Sequence, residues 1–164
     1  MADEEGVQTF EGAEAGASLT YPMAAGQIRK GAHILIKGRP CKVLEMTTSK
    51  TGKHGHAKCH FTATDIFTGK KMEMLESSTH NCEVPNVSRA EYTLLDISED
   101  GFVSLMDDDG ETKEDLKLPS GTDDLNKLQE ELKKAFDDGK DMIIVVLSSM
   151  NEEMIVAARE SQNN

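Results

Sequence analysis

The sequence predicts a mainly β protein made of two small barrels, an N-terminal SH3-like barrel followed by a C-terminal OB-fold. Short extended segments separated by Gly, Asp, Asn or Pro recur along the chain, which is the pattern of antiparallel strands joined by turns. One segment in the second half has helical spacing, and it lies between the third and fourth strands predicted there. Three strands, a helix and two strands is the order of an OB-fold.

The charge distribution divides the chain into three segments. Residues 1–20 carry five acidic side chains and no basic one, which predicts a disordered acidic tail. Residues 21–83 carry ten Lys or Arg against five acidic residues, whereas residues 84–164 carry eight against twenty. Opposite charges indicate different tasks, so we expect an SH3-like domain at 21–85 and an OB-fold domain at 86–164.

The first barrel is predicted as a series of short strands joined by turns. Gly38-Arg39-Pro40 consists largely of turn residues, so we expect one strand to end before it and another to begin after it. The second of these strands alternates apolar and polar residues at period two. A long hairpin is expected to follow, because extended segments lie on both sides of a glycine-containing loop. The strands are predicted at residues 32–37, 41–47, 56–67 and 72–76.

Period two also predicts which side chains of the strand after this loop face the core. The inward set is expected to be Cys59, Phe61, Ala63 and one of Ile66 and Phe67. The barrel is expected to end in a short, stiff linker at residues 84–87. Pro85 fixes its own φ there and biases the preceding residue to extended geometry.

The second barrel contains one amphipathic helix, predicted at residues 123–136. Its apolar residues share one face, and they are Leu125, Leu128, Leu132, Ala135 and Phe136. Asp123 and Asp124 lie at the amino end, where the helix dipole favours acidic groups, and Gly139 follows the carboxyl end. The last segment is expected to be a strand, with a terminal helix as the open alternative. Strands are predicted at residues 89–97, 102–106, 111–118, 142–149 and 154–159.

Composition and cysteine content predict a soluble, cytoplasmic protein. The longest apolar run, residues 142–147, is far shorter than the roughly 20 residues that span a bilayer, so no membrane partner is expected. Three cysteines, an odd number in a chain without a signal peptide, predict reduced thiols rather than disulfides. Aromatic residues make up 4% of the sequence, so both cores are expected to be aliphatic.

The candidate functional segment is the loop at residues 50–58, a cationic stretch in a chain of net charge -12. It contains three lysines, two histidines and no acidic residue. Gly52 and Gly55 lie on either side of Lys53. Because glycine reaches positive φ at little cost, a tight turn with Lys53 near its apex is expected.

Most enzyme motifs fail when they are tested against this loop. A phosphate-cradling loop needs Gly-x-x-x-x-Gly-Lys followed by Ser or Thr, whereas Gly52-Lys53 is followed by His54. No metal site is predicted, because zinc-ligand spacing is lacking among His54, His56, Cys59, His60, His80 and Cys82. No Ser-His-Asp or Cys-His-Asn set can be identified either, so the chain is expected to be neither an enzyme nor a cofactor carrier.

Electrostatic binding of phosphate by the first barrel is the remaining interpretation. Aromatic stacking platforms are scarce, and the acidic second barrel would repel a bare polyanion, so that barrel is expected to face protein. Cations that support the loop are expected at Arg29, Lys30, Lys37, Arg39, Lys42, Lys70 and Lys71. A general RNA-binding module of two β-barrels is therefore one function that these residues allow.

Residues 48–58, Thr-Ser-Lys-Thr-Gly-Lys-His-Gly-His-Ala-Lys, resemble the modification loop of the eukaryotic translation initiation factor 5A family, which is related to bacterial elongation factor P. The resemblance extends from about residue 20 to the end of the chain. It is carried by residues 37–42, 65–71, 78–81, 84–86 and 114–119. Glu76-Ser77 departs from the Cys-Pro expected for the family, and the region 120–141 is longer than expected.

The resemblance implies that Lys53 is converted to hypusine, by transfer of an aminobutyl group from spermidine and then hydroxylation. Deoxyhypusine synthase and deoxyhypusine hydroxylase are the implied modifying enzymes, so the chain is their substrate and has no cofactor of its own. The implied role is to bind the ribosome beside the peptidyl-tRNA and promote peptide-bond formation at stalls, including polyproline, and termination. Contacts with tRNA or ribosome are expected at Lys50, Gly52, Lys53, His54, Gly55 and Lys58. Whether the chain forms a homodimer is open.

Overall fold

The computed structural model describes residues 18–50 and 57–162 of the chain. Within them the chain forms eleven β-strands, one α-helix and one 3-10 turn, which confirms the prediction of a mainly β protein. They cluster into two compact units, one ending at Asn86 and one beginning at Val87, with residues 67–69 assigned to the second. Most of the predicted acidic tail lies outside the described residues.

The first unit contains six strands arranged in two antiparallel sheets. They are β1 (Thr20–Ala24), β2 (His33–Ile36), β3 (Arg39–Lys50), β4 (Ala57–Asp65), β5 (Lys71–Ser77) and β6 (Asn81–Pro85). The strands β2, β3, β4 and β5 form a four-stranded sheet in chain order, while β1 pairs with β6. A 3-10 turn at Ala25–Gln27 follows β1 directly.

The inward face of β4 forms the centre of the first core. Cys59, Phe61 and Ala63 are fully buried, as predicted. Beyond the end of the strand Phe67 is buried and Ile66 is not, but neither belongs to this core cluster. The side chains that complete this core are Ala25, Ile28, Ile34, Ile36, Cys41, Val43, Cys82 and Val84. Each large apolar side chain that is removed from water contributes about 1.5–3 kcal/mol to folding, so this face anchors the sheet.

A β-bulge interrupts the alternation that was predicted for β3. Val43 pairs with Ala63, but the next pair joins Glu45 to Thr62, so Leu44 is an extra residue without a partner in the register. Strict period two would have turned Glu45 toward the core. The bulge instead leaves Leu44 exposed and lets Met46 pack against the core, so the prediction of uninterrupted alternation was wrong.

The turn before β3 lies one residue earlier than the predicted Gly38-Arg39-Pro40. Lys37 and Gly38 both have positive φ, at 52° and 79°, which is the geometry of a two-residue hairpin turn whose twist matches the flanking strands. Arg39 therefore begins the strand. Pro40 is buried within it, and its carbonyl accepts a hydrogen bond from the Ile66 N–H at 3.0 Å.

The predicted linker at residues 84–87 contains the boundary between the two units, at Asn86 and Val87, but it is shorter than expected because most of it belongs to strands. Val84 and Pro85 end β6, where they pair with Tyr21 and Thr20 of β1. The sequence pattern did not predict β1, since its alternation is short and it follows directly on the acidic tail.

The second unit is a five-stranded antiparallel sheet with one helix, in the element order predicted for an OB-fold. Its elements are β7 (Val87–Ile97), β8 (Phe102–Met106), β9 (Thr112–Lys117), α1 (Asp123–Asp137), β10 (Met142–Ser149) and β11 (Glu152–Glu160). The last segment is a strand, so the alternative of a terminal helix is excluded. The strand order is β11-β10-β7-β8-β9, and Lys113 Nζ of β9 lies 2.7 Å from Glu153 Oε1 of β11, joining the two edges.

Helix α1 agrees with its prediction to within one residue at the carboxyl end. The Thr122 side chain accepts a hydrogen bond from the Leu125 N–H at 3.1 Å and so caps the amino end. Leu132 and Ala135 are buried in the core of the second unit, while Gly139 beyond the helix has φ 75°. In the described part of the chain, α1 included, no helix is long and apolar enough to cross a membrane.

Arg39 and Asp65 join the start of β3 to the end of β4 by a bidentate ion pair. Arg39 Nε donates to Asp65 Oδ2 at 2.7 Å, and Nη2 donates to Oδ1 at 3.3 Å. Asp65 is only 3% exposed, so the guanidinium compensates for the hydration that the carboxylate has lost. The pair lies at the end of the β3–β4 hairpin that is remote from the candidate loop.

We predict that Arg39→Ala lowers the free energy of unfolding by about 3 kcal/mol, because the substitution removes a bidentate cation from the buried Asp65 carboxylate. Urea unfolding followed by circular dichroism measures this change. Arg159→Ala is the matched control, since it removes a bidentate pair with Glu91 in which both side chains are more than half exposed. We expect the control to change stability little. Equal effects of the two substitutions would contradict this role of the buried pair.

We predict that iodoacetamide labels none of the three cysteines in the folded protein. Cys41, Cys59 and Cys82 are free and buried. Burial raises the pKa of the Cys41 thiol to about 11, and burial also raises the pKa of the Cys82 thiol, so the reactive thiolate is scarce. Mass spectrometry at mildly alkaline pH, with and without guanidinium chloride, provides the measurement. Labelling of the native protein at the rate of the unfolded one would overturn this expectation.

Candidate functional site

The β3–β4 hairpin brackets the candidate loop, as the sequence predicts. Lys50 pairs with Ala57 and Ser49 pairs with Lys58, so these are the last described pairs before residues 51–56. Lys50 and Lys58 are both exposed. The other predicted site residues, Gly52, Lys53, His54 and Gly55, lie outside the described residues.

The outer face of the hairpin is polar and carries cations close to the loop. Lys58 and His60 lie on the side of β4 that faces away from the buried Cys59. In the register they lie opposite Ser49 and Thr47 of β3. Lysines that are this exposed can exchange water for phosphate oxygens at low cost. The strand ends are therefore suited to contacts with a polyanion.

Most of the cations expected to support the loop are on the surface of the first unit. The exposed ones are Arg29, Lys30, Lys37, Lys42, Lys70 and Lys71. Arg39 is the exception, because its guanidinium is half-buried against Asp65. Its charge stabilises the hairpin, so the expectation that Arg39 belongs to a free cationic surface was wrong.

A turn at residues 77–80, which connects β5 to β6, is bonded to Ala57 near the carboxyl end of the candidate loop. The Ser78 N–H donates to the Ala57 carbonyl at 2.9 Å. On its other side the turn accepts two hydrogen bonds from the 3-10 turn, Gly26 N–H to the Ser78 carbonyl at 3.0 Å and Ala25 N–H to the His80 carbonyl at 2.9 Å. These contacts were not predicted from the sequence. Its one sign of them is that Glu76-Ser77 stands where the family resemblance leads us to expect Cys-Pro.

Glu76 holds this turn from the end of β5. One carboxylate oxygen, Oε1, accepts from the Ser77 N–H at 3.0 Å and lies 2.8 Å from His80 Nδ1. The hydrogen bond from His80, followed by that from Ser77, holds the pKa of the Glu76 carboxyl below its ordinary value of 4.5. Nearby Lys58 contributes in the same direction. The turn that is bonded to Ala57 therefore contains a carboxylate that favours its ionised form.

Among the residues that the structure describes, the histidines and cysteines near the hairpin are not brought together as a metal site. Within residues 18–50 and 57–162 there is no group of three His, Cys, Asp or Glu side chains arranged to hold a metal. His60 Nε2 instead lies 2.8 Å from Glu73 Oε1, and Cys59 points into the core. His54 and His56, also considered as ligands, lie outside the described residues. The described residues thus offer hydrogen bonding and charge.

Comparison with known families assigns both halves of the chain. Residues 18–80 match a family described as "Translation initiation factor 5A-like, N-terminal". Residues 86–159 match one described as "Eukaryotic elongation factor 5A hypusine, DNA-binding OB fold". Together with the strand topology, these matches confirm the predicted class of two β domains, with an OB-fold as the second.

Individual proteins resemble the chain over nearly its whole length. Eukaryotic translation initiation factor 5A-3 of Arabidopsis thaliana is 60% identical over 98% of both chains. The 5A-4 protein of Solanum tuberosum is also 60% identical, again over 98% of both. Among solved structures, a translation initiation factor eif-5a family protein from Naegleria fowleri has a TM-score of 0.82 and 51% identity, covering 87% of this chain and 99% of its own. The factor 5A of Methanococcus jannaschii has a TM-score of 0.66 and 25% identity, covering 86% and 96% respectively.

We predict that the Glu76 carboxyl titrates below 4.5 and that His80→Ala moves its midpoint up toward that value, because His80 is the largest cause of the lowered pKa. Carboxyl chemical shifts in NMR measure the midpoint. The ionised group stabilises the fold above its unfolded pKa, and this contribution is lost as pH falls through the lowered folded pKa. His60→Ala is the control, since His60 bonds Glu73 instead. An ordinary midpoint in the unsubstituted protein would contradict the assignment.

Proposed function

Because this chain belongs to the eukaryotic translation initiation factor 5A family, we propose that it binds the ribosome beside the peptidyl-tRNA and promotes peptide-bond formation there. The family consists of translation factors rather than enzymes, which agrees with the expectation that the chain is not an enzyme. The proposed action includes elongation at stalls such as polyproline, and termination. It takes place in the cytoplasm.

Hypusine at Lys53 is the chemical basis of this proposal. In the first step the Lys53 Nζ forms a bond to the aminobutyl group of spermidine, and the remainder of spermidine leaves as a diaminopropane. Hydroxylation of the new chain follows, with molecular oxygen as the oxidant: one oxygen atom enters a C–H bond, and the other leaves as water after taking two electrons and two protons from an external reductant. Deoxyhypusine synthase and deoxyhypusine hydroxylase are the two proposed enzymes. Two observations support this assignment: the matched family description includes hypusine, and Lys53 is central in the segment that resembles the modification loop.

Length and charge explain what the modification adds. Hypusine extends an already flexible side chain and carries a second amine, so its positive charge reaches phosphates that a lysine at the same place cannot. On either side of it, Lys50 and Lys58 are exposed at the ends of paired strands. These lysines provide phosphate contacts that orient the loop, with Gly52, His54 and Gly55 as its other proposed tRNA or ribosome contacts.

Catalytic help in this scheme comes from positioning the peptidyl-tRNA rather than from acid-base chemistry. Holding two reactants in the right geometry lowers the activation free energy, because the entropy of bringing them together is lost on binding, before the reaction. The single observation that carries the proposal is the cationic hairpin end, held by a hairpin whose remote end is fixed by Arg39 and Asp65. No cofactor takes part beyond the modified lysine.

The two halves are proposed to act as separate functional domains, at residues 21–85 and 86–164. The first carries the loop and most of the exposed cations. The second carries twenty acidic residues against eight basic ones beyond residue 83, which disfavours contact with bare RNA. We therefore assign it to contacts with ribosomal proteins.

We predict that Lys53→Arg abolishes the stimulation of peptide synthesis on polyproline templates, because arginine keeps the charge but cannot accept the aminobutyl group. A reconstituted translation assay measures the rate, and mass spectrometry of the Lys53 peptide from native cells measures the modification. Lys127→Arg is the matched control, since it makes the same exchange at an exposed lysine of the second unit. Its activity is expected to stay within about twofold of the unsubstituted protein.

Full activity of Lys53→Arg, or an unmodified lysine mass throughout, would contradict the proposal. The alternative of a general RNA-binding module predicts a different result. In that case free RNA oligomers bind with a steep salt dependence, and Lys53→Arg binds them as well as the unsubstituted chain does.

A further inference from the structure

Ala57, near the carboxyl end of the candidate loop, is bonded to a residue outside the hairpin. Ala57 pairs with Lys50 across the hairpin, and its carbonyl accepts from the Ser78 N–H at 2.9 Å. Ser78 belongs to a turn that connects two other strands, so this bond ties the foot of the loop to a second part of the first unit. Side chains that fix the conformation of this turn therefore also fix the position of Ala57.

The turn is packed tightly on the 3-10 turn behind it. Gly26 donates to the Ser78 carbonyl at 3.0 Å. A Cβ at Gly26 would lie 3.2 Å from that carbonyl oxygen and 3.3 Å from Ser78 Cβ, closer than such contacts normally are. The turn is thus enclosed between the 3-10 turn on one side and Ala57 on the other.

Glu76 is the side chain that closes this turn upon itself. It lies at the end of β5, on the same side as Met72 and Met74, both of which pack against the core. The single oxygen Oε1 takes both contacts, with the first and the last residue of the turn, Ser77 at 3.0 Å and His80 at 2.8 Å. A carboxylate that accepts two donors forms stronger hydrogen bonds than a neutral acceptor does.

The sequence departure at this place has a physical explanation. Proline has no backbone N–H, so a chain with Cys-Pro here could not make the bond from residue 77 to the side chain of residue 76. Ser77 supplies the N–H, and Glu76 supplies the acceptor. Glu76 and Ser77 therefore work as a pair that closes a hydrogen-bonded turn.

We infer that Glu76 is a positioning residue for the modification of Lys53, because it shapes the turn that holds Ala57 at the foot of the loop. This inference rests on the function proposed above. A foot that is already ordered spares the modifying enzyme the entropy of ordering it on binding. This gain in binding free energy is the same in the ground state and the transition state, so it lowers KM and leaves kcat unchanged.

The experiment measures transfer of the aminobutyl group from spermidine to this chain by deoxyhypusine synthase, over a range of chain concentrations. For Glu76→Ala we expect KM for the chain to rise about tenfold, while kcat stays within about twofold. Glu76→Gln keeps an oxygen that accepts from Ser77 and His80, so its KM is expected within about threefold of the unsubstituted value. Glu73→Ala is the control, since it removes a carboxylate on the same strand that bonds His60 and not the turn.

Amide exchange at Ser78 is followed in the same variants and needs no modification. We expect exchange to become about tenfold faster in Glu76→Ala and to stay unchanged in Glu73→Ala. An unchanged KM and unchanged Ser78 exchange in Glu76→Ala would overturn the inference, as would a Glu76→Gln variant as impaired as Glu76→Ala. If the unsubstituted chain is not modified at all, the proposed function fails, and Ser78 exchange alone then reports whether Glu76 shapes the turn.

Discussion

Burial of one face of β4 is the constraint on which the first unit depends. Because side chains alternate along a strand, placing Phe61 and Ala63 in the core also places Lys58 and His60 outside. A slip of one residue would expose the core and bury two polar side chains, at a cost comparable to the stability of a small domain. The pairing of Lys50 with Ala57, and hence the place of the loop, follows from this burial.

Much of the fold was predictable because its periodicities are strong. The helix at Asp123–Asp137 and the strands of the second unit have clear spacing and turn residues, and their element order alone indicated an OB-fold. Local irregularities were not predictable in this way. The bulge at Leu44 depends on matching two strands, and β1 is stabilised by pairing with β6, which is about sixty residues away in sequence.

The candidate site shows the same division between local pattern and long-range contact. Charge and glycine placement were enough to identify a cationic loop, but Lys50, Lys53 and Lys58 are chemically alike, and only the family resemblance distinguished Lys53. The hydrogen bond from Ser78 to Ala57 joins residues that are far apart in the chain, so no periodicity in the sequence could predict it. Arg39 was misjudged for a related reason, since its partner Asp65 is 26 positions away.

The edge strands β9 and β11 of the second unit meet at a seam. The side chains of Lys113 and Glu153 join the two strands there, instead of paired backbone hydrogen bonds. Strand edges that become free are where protein molecules can join each other into aggregates. Here the freed edge of β9 would present Lys113, Glu114, Asp115 and Lys117 in a run of six residues. Such density of charge discourages pairing with another strand, so an exposed β9 edge would be a poor template for aggregation.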